Sequence, residues 1–108
     1  MKLNKKQKQF LDDNFNVRIE KYSNGKYLSL EAWTDGGVNM FIEIDYKKDI
    51  IEGLDEYLEN FDIDDEIDCY RQDKYYRENF RITESVKDFE NWIARIKTIR
   101  NILEDLKW

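Results

Sequence analysis

Seven consecutive residues, Asp62-Ile63-Asp64-Asp65-Glu66-Ile67-Asp68, carry five carboxylates. Alternating carboxylates open a calcium-binding loop, which places glycine at its sixth position for a sharp turn and a bidentate glutamate at its twelfth. Those positions hold Ile67 and Asp73, so the spacing argues against calcium. Two-metal nuclease chemistry would need carboxylates brought together from separate elements, and the sequence favours it less than calcium binding. With no histidine, the chain lacks the commonest general base and the usual zinc ligand, and Cys69, its sole cysteine, has no imidazole to activate it. Glycines stand only at 25, 36, 37 and 53, without the spacing of a phosphate-cradling loop. These residue types point away from an enzyme and imply no cofactor.

The carboxylates matter instead as a field. From Glu43 to Asp68 there are twelve Asp and Glu against Lys47 and Lys48, a net charge of −10, while the remainder of the chain carries +4. A charge block of this kind steers encounters with basic surfaces. With −6 overall, the protein is a poor ligand for nucleic acid or an anionic membrane, and its expected partner is a basic protein. Asp49, Glu52, Glu56 and Glu59 form a stripe at three-four spacing with no Lys at the next turn of the same helix. Like charges so placed cost a few tenths of a kcal/mol each, which paired charges would avoid. The stripe continues into the Asp62–Asp68 cluster. Carboxylates about one helical turn apart approximate the spacing of phosphates along a strand, so nucleic-acid mimicry is the sharp reading. Its bland competitor is a solvated helix face that confers solubility.

These groups must be held by one small domain, 1–108, long enough for a single core. Sixteen aromatic residues and clear periodicity argue for a folded chain despite its high charge. No run approaches a membrane span, no signal peptide is evident, and one cysteine suits a reducing compartment, so a cytoplasmic location is expected.

Asn4 with Gln7 reads as a capping box for a short first helix that carries Leu3, Phe10 and Leu11 toward the core. Period-two alternation then runs from Asn16 to Tyr46. Asn24-Gly25 is a two-residue hairpin signal that would set Ile19 against Leu30 and Val17 against Ala32. At the second turn only a three-residue loop, Asp35-Gly36-Gly37, keeps Leu28, Leu30 and Ala32 opposite Ile44, Ile42 and Met40. The other face of this meander carries Trp33, Phe41, Tyr22 and Tyr27. A helix follows from Asp49 to about Asn60, apolar along Ile50, Ile51, Leu54, Tyr57, Leu58 and Phe61, with Gly53 hinting at a close contact. A long helix from about Ser85 to Leu106 presents Val86, Phe89, Ile93, Ile96, Ile99, Leu103 and Leu106. The fold class is therefore α+β: a three-stranded antiparallel β-meander packed by a short N-terminal helix, an acidic middle helix and a long C-terminal helix. Between the last two, Tyr70 to Arg81 interleaves basic and aromatic residues as single-strand binders do. Tyrosines that pack and arginines that pair with the adjacent acids account for it better, since a −10 neighbour repels phosphates.

Two stretches, Glu31-Ala32-Trp33-Thr34-Asp35-Gly36-Gly37-Val38-Asn39-Met40 and Phe61 to Asp68 onward through Phe80 and Ser85-Val86-Lys87-Asp88-Phe89, resemble small acidic proteins of phages and mobile elements of Gram-positive bacteria. The resemblance implies a setting in which anti-CRISPR and anti-restriction proteins occur, and it transfers no residue role. The expectation is an inhibitor that binds the basic nucleic-acid cleft of a defence nuclease, for example a CRISPR effector. Asp55, Glu56, Glu59, Asp62, Asp64, Asp65, Glu66 and Asp68 are its expected phosphate surrogates, and Trp33 and Phe41 its apolar anchors. The alternative is a structural or regulatory interaction protein, monomeric or dimeric through the aromatic sheet face.

Overall fold

The alternating segment folds as expected into a meander of β1 (Asn16–Tyr22), β2 (Gly25–Trp33) and β3 (Asn39–Asp45), in that spatial order and antiparallel throughout, in a computed structural model that describes residues 1–72 and 82–108. Before it lies α1 (Lys5–Asn14); after it come α2 (Ile50–Asn60), α3 (Ile63–Gln72) and α4 (Ile82–Asp105). The basic and aromatic stretch from Tyr70 to Arg81 lies mostly outside the described residues. The acidic middle segment is two helices, α2 and α3, broken at Phe61 and Asp62.

The second hairpin has the register its apolar pattern requires, with Leu28 opposite Ile44, Leu30 opposite Ile42 and Ala32 opposite Met40. Thr34 N–H donates to Val38 O at 2.8 Å across the three-residue loop, and Gly37 takes the left-handed φ of 87° that the bulged turn needs. The first hairpin differs from expectation. Its loop is Ser23-Asn24, which sets Tyr22 against Gly25, Ile19 against Leu28 and Val17 against Leu30. Ser23 and Asn24 keep negative φ, and Gly25 alone takes a positive value, 146°, as the first residue of β2. This displacement by two residues preserves every face, so hydrophobic pattern could not detect it; only the turn's backbone decides.

The four helices of the described residues gather on the face that carries Leu28, Leu30 and Ala32. A single core unites these with Leu11 and Phe15, with Ile50 and Leu54 of α2, Ile67 of α3, and Phe89, Trp92, Ile96, Ile99 and Leu103 of α4. Trp92 is the largest of the fully enclosed side chains, and its indole N–H donates to Tyr57 Oη at 2.9 Å. The three-four spacing pointed to Ile93 instead, which is only partly buried. Gln7 and Asn4 close the capping box of α1 as read. They also donate from their side-chain amides to Leu103 O (3.1 Å) and Leu106 O (2.8 Å), using carbonyls that the end of α4 leaves unpaired.

The second hairpin is clamped by a buried acid. Asp88 of α4 accepts from Thr34 Oγ1 and, at 2.8 Å, from Gly36 N–H, while Thr34 Oγ1 itself accepts from Val38 N–H at 2.9 Å. A Cβ on Gly36 would stand 2.7 Å from the Asp88 carboxylate, so only glycine fits. Hydrogen bonds to a charged group contribute about 1.5–3 kcal/mol each, and buried donors left unpaired add to the loss. Asp88→Ala is expected to destabilise the fold by roughly 2–5 kcal/mol and Gly36→Ala by roughly 1–3 kcal/mol in urea unfolding. Asp88→Asn should fall between wild type and Asp88→Ala.

Candidate functional site

The acidic segment is positioned by a contact that its lone glycine permits. Asp49 caps α2 by accepting from Ile51 N–H at 3.1 Å, and one turn later a Cβ on Gly53 would fall 2.3 Å from Ile44 Cγ2. The helix therefore lies directly on β3, and the close approach suggested by Gly53 is real. Asp62 starts α3 by accepting from Asp64 N–H at 2.9 Å, and Ile67 seats that helix in the core. The segment that resembled the opening of a calcium loop is thus helical, and its carboxylates fan around an axis. Asp64, Asp65 and Glu66 occupy the first turn, where the helix dipole favours negative charge.

Between β3, α2 and α3 runs an open groove of about 590 Å³. Six carboxylates line it: Glu43 and Asp45 from β3, Glu56 from α2, and Asp62, Asp65 and Glu66 around the start of α3. Tyr27, Tyr57 and Phe61 form its apolar floor, and Lys48 is the single cation among the described lining residues. Glu66 is half-buried there, and desolvation first, then the neighbouring Asp65 charge, raise its pKa above the usual glutamate value.

The expected phosphate surrogates divide into paired, capping and exposed positions. Asp55 accepts from Arg100 Nε at 2.8 Å and Nη2 at 3.2 Å in a two-pronged pair, and Glu56 is bound by Lys48. Within the stripe Asp49, Glu52, Glu56 and Glu59, Glu56 therefore has a compensating cation, and Asp55 beside it has another. The cations come from α4 and from the turn before α2, where a rule about spacing within one helix cannot see them. Asp62 is occupied as a cap, whereas Glu59, Asp64, Asp65 and Asp68 are exposed. Sequence reasoning omitted Glu43 and Asp45 from the site. The β3 alternation was the available signal, because they share a face with Phe41.

That outer sheet face is covered by no helix among the described residues. Trp33 is 60 % exposed, Phe41 48 % and Tyr22 48 %. Tyr22 packs on Tyr27 with ring centroids 5.6 Å apart and donates to Glu43 Oε1 at 3.0 Å, a bond that raises the phenol's pKa. Arg18, 3.6 Å from Glu31 and 3.9 Å from Glu20, sits among four carboxylates of this face, Glu20, Glu31, Glu43 and Asp45. The expected anchors and the acidic groove meet at β3, through Glu43, Asp45 and the β2 residue Tyr27 opposite Asp45. Among the described residues no three His, Cys, Asp or Glu side chains are grouped to hold a metal ion.

A raised carboxyl pKa means that the folded state binds the Glu66 proton more tightly than the unfolded chain does, so stability is lost as pH rises through the folded value. Glu66→Gln is expected to raise the thermal midpoint at pH 7 and to leave it unchanged below about pH 4, the range of an unperturbed glutamate. Parallel melts of the two proteins across that range check this. Comparison with protein-family models, curated proteins and solved structures finds no match to this chain.

Proposed function

We propose that this protein is a non-enzymatic acidic inhibitor that occupies the basic nucleic-acid-binding cleft of a host defence nuclease, such as a CRISPR effector, and blocks access of DNA or RNA. The observation that carries the reading is the convergence of carboxylates from β3, α2 and α3, the exposed Asp65 among them, on one groove, beside the exposed Glu59 and Asp64. Helix α3 adds negative charge at its first turn at little folding cost, and the sheet face adds Trp33 and Phe41 as apolar contacts at the edge of the charged area. A basic cleft that normally releases counterions to bind phosphates would gain the same entropy from these carboxylates. The reading assigns the protein no direct contact with nucleic acid. The second reading, a structural or regulatory interaction protein, rests on the exposure of Trp33 and Phe41, which exceeds what a solvated sheet face needs.

Because Glu56 is engaged by Lys48, the informative reversals are at unpaired exposed positions. Glu59→Lys with Asp64→Lys and Asp65→Lys is expected to weaken capture of a basic nuclease by two orders of magnitude or more, roughly 1 kcal/mol per reversed contact. The check is a pull-down with salt elution and nucleic-acid competition, with circular dichroism to establish folding. Binding unchanged by these reversals but lost on Trp33→Ser with Phe41→Ser would favour the second reading.

A further inference from the structure

The β1 edge of the sheet carries an inference independent of the acidic groove. Tyr46 N–H donates to Lys26 O and Thr34 N–H to Val38 O, so even-numbered residues of β2 direct their backbone groups toward β3. Odd-numbered residues of β2 therefore serve β1. In the observed register their partners are Asn16, Arg18, Glu20 and Tyr22. It follows that Val17, Ile19 and Lys21 point their N–H and C=O groups away from the sheet, along an edge that no described strand occupies. Ile19 belongs by register to the core face, opposite Leu28, yet is 50 % exposed.

We propose that this edge pairs with β1 of a second copy of the chain, antiparallel about a two-fold axis at Ile19, to make one six-stranded sheet. The charges select that occupant. Arg18 and Glu20 flank Ile19 with opposite sign, so the two-fold sets each Arg18 against Glu20 of the other copy, twice. Ile19 meets Ile19 of the second copy as a hydrogen-bonded pair, its outward N–H and C=O satisfied, and part of its exposed apolar surface leaves water. Lys21 falls opposite Val17 of the second copy, where its aliphatic stem covers the valine.

The distribution of charge over the molecule favours the same edge. The net −10 segment lies on β3, α2 and α3, across the sheet from β1, so edge pairing holds the two acidic regions apart. Stacking two copies through the aromatic sheet face would instead oppose Glu20, Glu31, Glu43 and Asp45 to their own equivalents, with Arg18 alone in compensation.

Light scattering coupled to size exclusion, run over a concentration series to the millimolar range, is expected to show mass rising from one chain toward two. Arg18→Glu and Glu20→Arg should each weaken the dimer about tenfold or more by opposing like charges twice, and the double swap should restore it. Circular dichroism of each single variant establishes that it folds. In a Cys69→Ser background, Ile19→Cys should oxidise to a covalent dimer, since Cα atoms in such a pair stand about 5.5 Å apart. Val17→Cys should not, its two copies lying roughly 13 Å apart. A single-chain mass at every concentration overturns the proposal. So does a dimer that ignores both charge reversals and dissolves on Trp33→Ser with Phe41→Ser.

Discussion

Asp88 is a carboxylate taken out of water and held by two protein donors, and the arrangement of this small domain depends on it. An acid buried so deeply is tolerated only where hydrogen bonds replace its hydration. Thr34 Oγ1 and Gly36 N–H supply them from the loop between β2 and β3. The clamp joins residues more than fifty positions apart, and it fixes which turn of α4 faces the end of the sheet. From that point the other long-range bonds of α4 follow in order along its length. Trp92 reaches Tyr57, Arg95 reaches Trp33 O and Asn14 O at 3.3 Å, Arg100 reaches Asp55, and the C-terminal turns receive Gln7 and Asn4. One helix so tied to α1, the sheet and α2 leaves little freedom for the faces that remain outside.

The negative charge has three distinct physical roles. Asp49 and Asp62 start helices, Asp55 and Glu56 are neutralised by cations from other elements, and Glu43, Asp45, Asp65 and Glu66 surround a groove whose charge is offset only by Lys48 among the described residues. Within the last set Glu66 carries a desolvation cost without a matching ion pair, visible in its raised pKa. Clustered like charge that folding does not require is where a basic ligand gains most, because binding relieves repulsion already present in the free protein. The sheet order adds a spatial separation: acids gather at the β3 side, and β1 remains as the least acidic edge.

Much of the architecture was legible from local pattern. The Asn4 and Gln7 box, the Asp49 cap, the three-residue loop with Gly37 in the left-handed region, and the close contact at Gly53 all follow from rules that act over a few residues. The first hairpin was legible only to within a shift of two, because burial constrains parity and the turn's φ values constrain the rest. Trp92 escaped because spacing identifies a stripe of a helix but not how far around it a neighbour such as Tyr57 extends the core. The composition of the acidic site was legible as a charge block, while its membership was not: Glu43 and Asp45 belong to it and Asp55 does not stand free.

The amino-acid order by itself determined element type, strand parity, caps and the polarity of charge, since each depends on side-chain chemistry read against a period of two or 3.6 residues. Tertiary structure alone decided which carboxylates are neutralised, which converge on the groove, and that Asp88 closes on the loop of the second hairpin. Those outcomes depend on distances between residues remote in the chain, and Coulomb and hydrogen-bond energies are set by distance and burial, which only packing supplies.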